Sequence, residues 1–275
     1  LSDSRQDHPA GERTAISVIV DAQGGDQDGG TRPGLMLMFD RGERPDRAAV
    51  AAALATIPRA VVSHDPAQAD PAHHVADPPQ RAAAGEDWLE LLADGLTFDL
   101  LGLSPGPGLS APEVAYRYNC EIDSLLDSEA IALVPGPHIA QGAHALPIIR
   151  TLLGLGAALT DALEGVQTVC WPVARTAIAP RFFARTVDAW LAGGPFPALG
   201  MLGFDFDEQG GLRSEGLRFF IGCELAIDPA ACRDRLAATR LAVRIVQELV
   251  GYQRPDGPQE FTTEGGEVFT LEPDL

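Results

Sequence analysis

Between residues 166 and 250 the local signals agree on one succession of strand and helix, which confines the chain to folds that mix both. Val166-Gln167-Thr168-Val169-Cys170-Trp171 is β-branched and apolar and ends at Pro172, as a short strand does. Pro180 stands where a first helical turn tolerates a missing N–H, and Phe183, Val187 and Trp190 follow on one face. Gly193-Gly194-Pro195 stops that helix. Residues 199–206 and 212–227 read as two strands joined through Asp205-Phe206-Asp207-Glu208-Gln209-Gly210-Gly211, a hairpin signal. In the second arm Leu217, Phe219, Ile221, Cys223, Leu225 and Ile227 alternate with Arg218, Phe220, Gly222 and Glu224, which predicts one buried face. Asp228-Pro229 then opens a long helix with Leu236, Val243, Val246 and Val250 on its apolar stripe, closed by Gly251.

Upstream, residues 129–134 read as a strand and Pro135-Gly136-Pro137 as a turn. Ile148, Leu152, Leu155, Leu159 and Leu163 give the stripe of a helix within 139–163, its start delayed by Pro147. Arg150 and Asp161 interrupt the apolar run, so it is not a membrane span. Residues 260–263 and 267–271, around Gly265-Gly266, predict a hairpin.

The first half repeats the theme. Residues 14–20 and 35–39 are predicted strands, Pro45 opens a helix with Val50, Leu54 and Ile57, and residues 60–63 return as a strand. Residues 65–85, rich in Pro, Ala and Asp, lack an apolar period and read as a loop. Trp88, Leu91 and Leu92 mark a short helix closed by Gly95, 96–103 is a strand, and 104–112 is a second loop. Polar residues near 119–128 separate the two patterns. The predicted organisation is therefore an N-terminal α+β module over 1–120, with the Pro/Ala-rich loop, and a C-terminal α+β module over 129–275. The predicted fold class is α+β, with two antiparallel sheets as ferredoxin-like modules in tandem, each covered by helices on one face. One continuous sheet is the rival arrangement.

Charge narrows the functional field. A net charge of −19 disfavours nucleic acid and anionic membrane as partners, since both call for cationic surface. It suits a basic protein partner. All 20 basic residues are arginine, which excludes lysine Schiff bases and the lysine-bearing phosphate loop and kinase signatures. Neither a G-x-S-x-G elbow nor an H-E-x-x-H helix is present.

Cys120, Cys170, Cys223 and Cys232 form no C-x-x-C and match no zinc spacing, so they read as free thiols. With no export-signal pattern, this predicts a cytoplasmic protein. Of the histidines (His8, His64, His73, His74, His138, His144), His138 and His144 bracket the start of the long helix. Six residues apart, they are poorly spaced for a shared helical metal site. Asp205-x-Asp207-x-Gln209-Gly210 imitates the start of a calcium loop, but its twelfth position is Gly216 rather than a bidentate Glu. That segment, like the loop carrying Asp21, Asp26 and Asp28, reads as a soluble hairpin tip. The sequence predicts no catalytic, cofactor-binding or metal-binding residue.

Trp171 at a strand end, Pro180-x-x-Phe183 opening a helix and Gly216-Leu217-x-x-Phe220 in a hairpin arm resemble, in order and spacing, a bacterial family of uncharacterised α+β domains. The resemblance spans roughly residues 129–271. It implies an α+β fold and carries over no catalytic residue. His138, His144, Trp171 and Arg175 are the candidate partner or ligand surface, because a strand-end loop such as Trp171-Pro172-x-x-Arg175 projects from its sheet. The leading expectation is a non-catalytic, immunity-like binding protein whose acidic surface meets a basic partner, or a second copy of the chain through a sheet edge. The alternative is a ligand-binding or haem enzyme with a pocket between two ferredoxin-like modules, its axial ligand a buried His138 or His144.

Overall fold

The computed structural model describes residues 14–19, 33–68, 81, 87–120, 125–231, 234–252, 259–262 and 268–274. In chain order the elements are β1 (Thr14–Ile19), β2 (Leu35–Asp40), α1 (Arg47–Leu54), β3 (Ala60–His64), β4 (Trp88–Ala93), β5 (Leu96–Leu101), β6 (Tyr116–Tyr118) and β7 (Ser128–Pro135). They continue with α2 (Leu146–Ala162), β8 (Thr168–Trp171), β9 (Thr176–Ile178), α3 (Pro180–Leu191), β10 (Gly203–Phe206), β11 (Leu212–Glu215) and α4 (Leu217–Ile221). The last are β12 (Glu224–Ile227), α5 (Arg235–Tyr252), β13 (Gln259–Thr262) and β14 (Val268–Asp274).

The fold is α+β with two sheets. The larger runs β3-β4-β5-β7-β2-β8-β9-β6, antiparallel except for the parallel β6–β9 pair. The smaller runs β10-β11-β12-β1-β14-β13, antiparallel except for β1 against β14. Neither sheet respects the expected boundary near 119–128. β2 lies between β7 and β8, with Leu37 opposite both Ile131 and Val169, while β1 lies between β12 and β14. In the larger sheet β2 to β6 precede that boundary and β7 to β9 follow it, and in the smaller sheet β1 joins strands that all follow it, so the described strands do not sort into two tandem modules.

The larger sheet buries both faces, by different means. Leu35, Leu37, Phe39, Leu91, Phe98, Leu100, Ile131, Leu133 and Val169 join Ile149, Leu152, Leu153, Phe183 and Val187 of α2 and α3 in one core. That core continues through Trp171 and Phe220 to Leu212, Leu225 and Ile227 of the smaller sheet and to Ile245 and Val246 of α5. The opposite face carries Met38, Ala130, Cys170 and Ala177, covered by Leu109, Ala111, Val114, Cys120 and Leu125 of irregular chain. The exposed Val61 and Val62 mark the β3 edge.

Several elements form as the sequence predicts. The α3 helix starts at Pro180 and buries Phe183, Val187 and Trp190, and α2 begins at Leu146, just before Pro147. β13 and β14 pair as a hairpin. Others differ. Residues 88–93 are strand rather than helix, because Asp94 (φ 48°) and Gly95 (φ 83°) make the left-handed two-residue turn that joins β4 to β5. Leu199 and Gly200 have non-helical backbone in a kinked turn, Gly200 with φ 122°, and β10 begins only at Gly203. The long helix is capped by Asp234, whose Oδ1 accepts from the Ala237 N–H, while Asp228 caps only the short turn Pro229–Ala231. Leu236 is consequently exposed, and Ala238, Leu241, Ala242 and Ile245 form the buried stripe with Val246, Leu249 and Val250. Beyond residues 65–68 and 81, the predicted Pro/Ala-rich loop lies outside the described residues, as do the loop of Asp21, Asp26 and Asp28, His8, His73, His74 and Cys232.

Candidate functional site

The segment expected as one continuous strand over 212–227 is broken in the middle, and the break builds the site. Gly216 (φ 92°) and Gly222 (φ 83°) adopt left-handed conformations on either side of α4, a helix of five residues. The turn lets β12 fold back antiparallel beside β11. It is held by Glu224, whose carboxylate is almost fully buried. Oε1 accepts from the N–H groups of Gly216 (3.0 Å) and Arg218 (3.2 Å). Oε2 accepts from Leu217 N–H (3.2 Å) and from the Ser214 hydroxyl (2.6 Å). Ser214 Oγ in turn accepts from Leu225 N–H at 2.8 Å. The otherwise orphaned first N–H groups of α4 are therefore answered by a side chain ten residues or fewer away. Burial pushes the Glu224 carboxyl up, against the pull of these four donors.

A second polar cluster joins the two sheets. Arg175, in a left-handed conformation (φ 49°) between the turn Pro172–Ala174 and β9, forks onto Glu215 at the end of β11. Its remaining nitrogen reaches Glu113 at 2.7 Å. Tyr116 of β6 donates to Glu215 at 2.9 Å, and Tyr118 donates to the Leu202 carbonyl at 2.7 Å. Gly203 is glycine for a steric reason: a Cβ there would lie 2.2 Å from the Tyr116 ring. The Arg175 hydrogen bond holds Glu215 below the usual carboxylate range, against burial and with help from Tyr116. Burial and the bond to Glu215 push Tyr116 up to about 12.

Between these clusters and the first turn of α2 opens a cleft of about 1300 Å³. One wall is the chain from Ala140 to Pro147, with His144 at its rim; the other is α4, presenting Arg218, Phe219 and Ile221. Val173 and Val250 also line it. Beneath the surface lies an aromatic chain. Trp171 contacts Phe219 edge-on at 5.4 Å and Phe220 at 6.2 Å, Phe220 meets Phe196 at 5.0 Å, and Phe196 meets Trp190 at 5.5 Å. Such pairs add specificity of geometry to the apolar burial beneath the cleft.

The structure treats the four predicted surface residues unequally. His144 lines the cleft, whereas His138 is exposed and does not line it. His144 is also exposed, and neither histidine is hydrogen-bonded to a carboxylate or thiol among the described residues. Neither offers the buried axial position expected for haem. Trp171 is fully buried rather than projecting, with its indole N–H lacking an acceptor among the described residues. Arg175 is partly exposed but engaged by Glu215 and Glu113. Both act on the same stretch of chain, Arg175 on Glu215 and Trp171 on Phe219 and Phe220. Sequence reasoning missed Glu215, Glu224, Ser214 and Tyr116; the available signal was the pair Gly216 and Gly222, since glycine inside a strand pattern marks a break. The calcium-like loop is a hairpin tip in which Asp207 Oδ1 accepts from Gln209 N–H and Gly211 N–H. Among the described residues no group of three His, Cys, Asp or Glu side chains is placed to hold a metal ion, and no helix is long and apolar enough to cross a membrane. In comparisons with protein-family models, characterised proteins and solved structures, the chain matches none.

Proposed function

We propose that the protein acts by binding, and that the cleft between α4 and the start of α2 receives an extended segment of a basic partner protein. One observation carries this reading: an open cleft with Phe219, Ile221, Val173 and Val250 along it, in a chain of net charge −19. Apolar lining supplies the energy of docking through area removed from water. The negative field of the whole molecule supplies attraction for a cationic segment and repels an acidic one. The two carboxylates beside the cleft are already committed, Glu224 to backbone N–H groups and Glu215 to Arg175, which favours recognition by shape over proton transfer. An immunity-like protein that masks a basic surface would work in this way.

Titration with two fluorescent peptides of equal length tests the reading, one alternating Arg and Leu, the other Glu and Leu. The basic peptide is expected to bind, more weakly at high salt, and Ile221→Arg is expected to block it. Equal binding of both peptides, or binding that survives Ile221→Arg, refutes the assignment.

A further inference from the structure

Far from the cleft, β4 and β5 set Glu90 directly opposite Asp99. Both alternate with Leu89, Leu91, Phe98 and Leu100 of the helix-covered core, so they lie on the other face of the sheet, beside Trp88 and Leu101. Like charges facing each other across a strand pair repel, and Asp99 is fully buried. Ser63 Oγ donates to Glu90 Oε1 at 2.9 Å, and one side chain bridges the two carboxylates. Arg81 Nε donates to Asp99 Oδ2 at 2.9 Å, and Nη2 donates to Asp99 Oδ1 and Glu90 Oε2, each at 2.6 Å. Its guanidinium carbon stands 4.2 Å from the ring centroid of Trp88. A forked carboxylate, a second carboxylate and an aromatic face together engage Nε, Nη2 and one face of the guanidinium. The Trp88 indole N–H is buried there with no acceptor among the described residues.

We propose that Trp88, Glu90 and Asp99 form a guanidinium-binding site, filled in cis by Arg81, which an arginine of a partner protein enters when Arg81 leaves. Lysine fits it worse, since a compact ammonium cannot fork onto Asp99 while lying flat on the indole. The unanswered indole N–H points the same way: an arginine side chain has no acceptor to offer it, whereas the carbonyl of an incoming peptide does. The site shares no residue with the cleft, so the two assignments stand or fall separately.

The test vacates the seat. Arg81→Ala should melt at a lower temperature than wild type and recover as guanidinium chloride is added at millimolar concentration, relative to sodium chloride of equal ionic strength. Wild type should show no such recovery, and Asp99→Asn in the Arg81→Ala background should abolish it. Arg81→Ala should also prefer a short arginine peptide to its lysine counterpart by roughly tenfold, a preference absent from wild type. Should Arg81→Ala not purify, refolding yield with and without guanidinium gives the same reading. A response to guanidinium equal in wild type and variant, or one that survives Asp99→Asn, overturns the proposal, as does equal affinity of Arg81→Ala for the two peptides.

Discussion

Arg175 Nε and Nη2 close on the two carboxylate oxygens of Glu215 at 2.5 and 2.8 Å, across 40 residues of sequence and across the seam between the two sheets. Arg175 stands beside β9 of the larger sheet and Glu215 ends β11 of the smaller. The pair is half open to solvent, so its stabilising effect is modest. Arg175→Ala is expected to lower stability by about 1 kcal/mol, measured by denaturant unfolding.

The same pair sets a pH dependence. The carboxyl of Glu215 is held below its ordinary value in the folded protein. Its stabilising contribution is therefore present above the ordinary carboxyl range and is lost as pH falls through the lowered folded value. Glu90 shifts in the same direction and Glu224 in the opposite one, so the clean measurement is a difference. The stability gap between wild type and Glu215→Gln should be widest near neutrality and close on acidification below about 4.

Two glycines of like backbone and unlike surroundings permit a paired test. A Cβ at Gly216 would stand 2.6 Å from the Ala174 Cβ, whereas one at Gly222 meets nothing within 4 Å. Gly222→Ala should cost about 1–2 kcal/mol, the conformational penalty alone. Gly216→Ala should cost distinctly more, and thermal melts of both variants give the difference directly.

Aromatic substitutions should separate floor from lining. Trp171 is fully buried and Phe220 nearly so, and Trp171→Ala should cost about 3–5 kcal/mol. Phe219, expected from the alternation to be fully buried, is only partly so because it stands on α4 at the cleft. Phe219→Ala should therefore cost less than Trp171→Ala in unfolding experiments, while reducing capture of the basic peptide.

Thiol labelling should rank the cysteines. Burial pushes the Cys170 thiol up to about 12, whereas Cys120 is partly exposed and sits 3.5 Å from the Thr168 hydroxyl. Under native conditions a thiolate-trapping reagent followed by peptide mass analysis should modify Cys120 well before Cys170. The difference should vanish in denaturant.

What the sequence revealed was local. Pro180 and the spacing of Phe183, Val187 and Trp190 sufficed for α3, because a helix is closed by its own neighbours. The Trp88–Leu92 run suggests a helix because β4 is largely covered on both faces and shows no clean alternation, leaving Asp94-Gly95 as its informative signal. The cleft was less legible still. Glu215 meets Arg175, and Tyr116 meets Glu215, at separations of 40 and 99 residues, and no periodicity encodes such partners. His144 and Arg175 stand out in the sequence by their positions next to element ends, yet the cleft that His144 lines and the Glu215 that Arg175 meets adjoin a break at Gly216 that the alternation of Leu217, Phe219 and Ile221 conceals.

The position of β1 bears on how the chain acquires its fold during synthesis. Ile16 is hydrogen-bonded in register between Ile227 and Leu271, so this strand has no partner until more than two hundred further residues have been made. β2 waits in the same way for β7 and β8. Pairings of such long range make a slow folder, with edges left open meanwhile. During synthesis β1 would stay unpaired until β12 and β14 are made, and β2 until β7 and β8 are made.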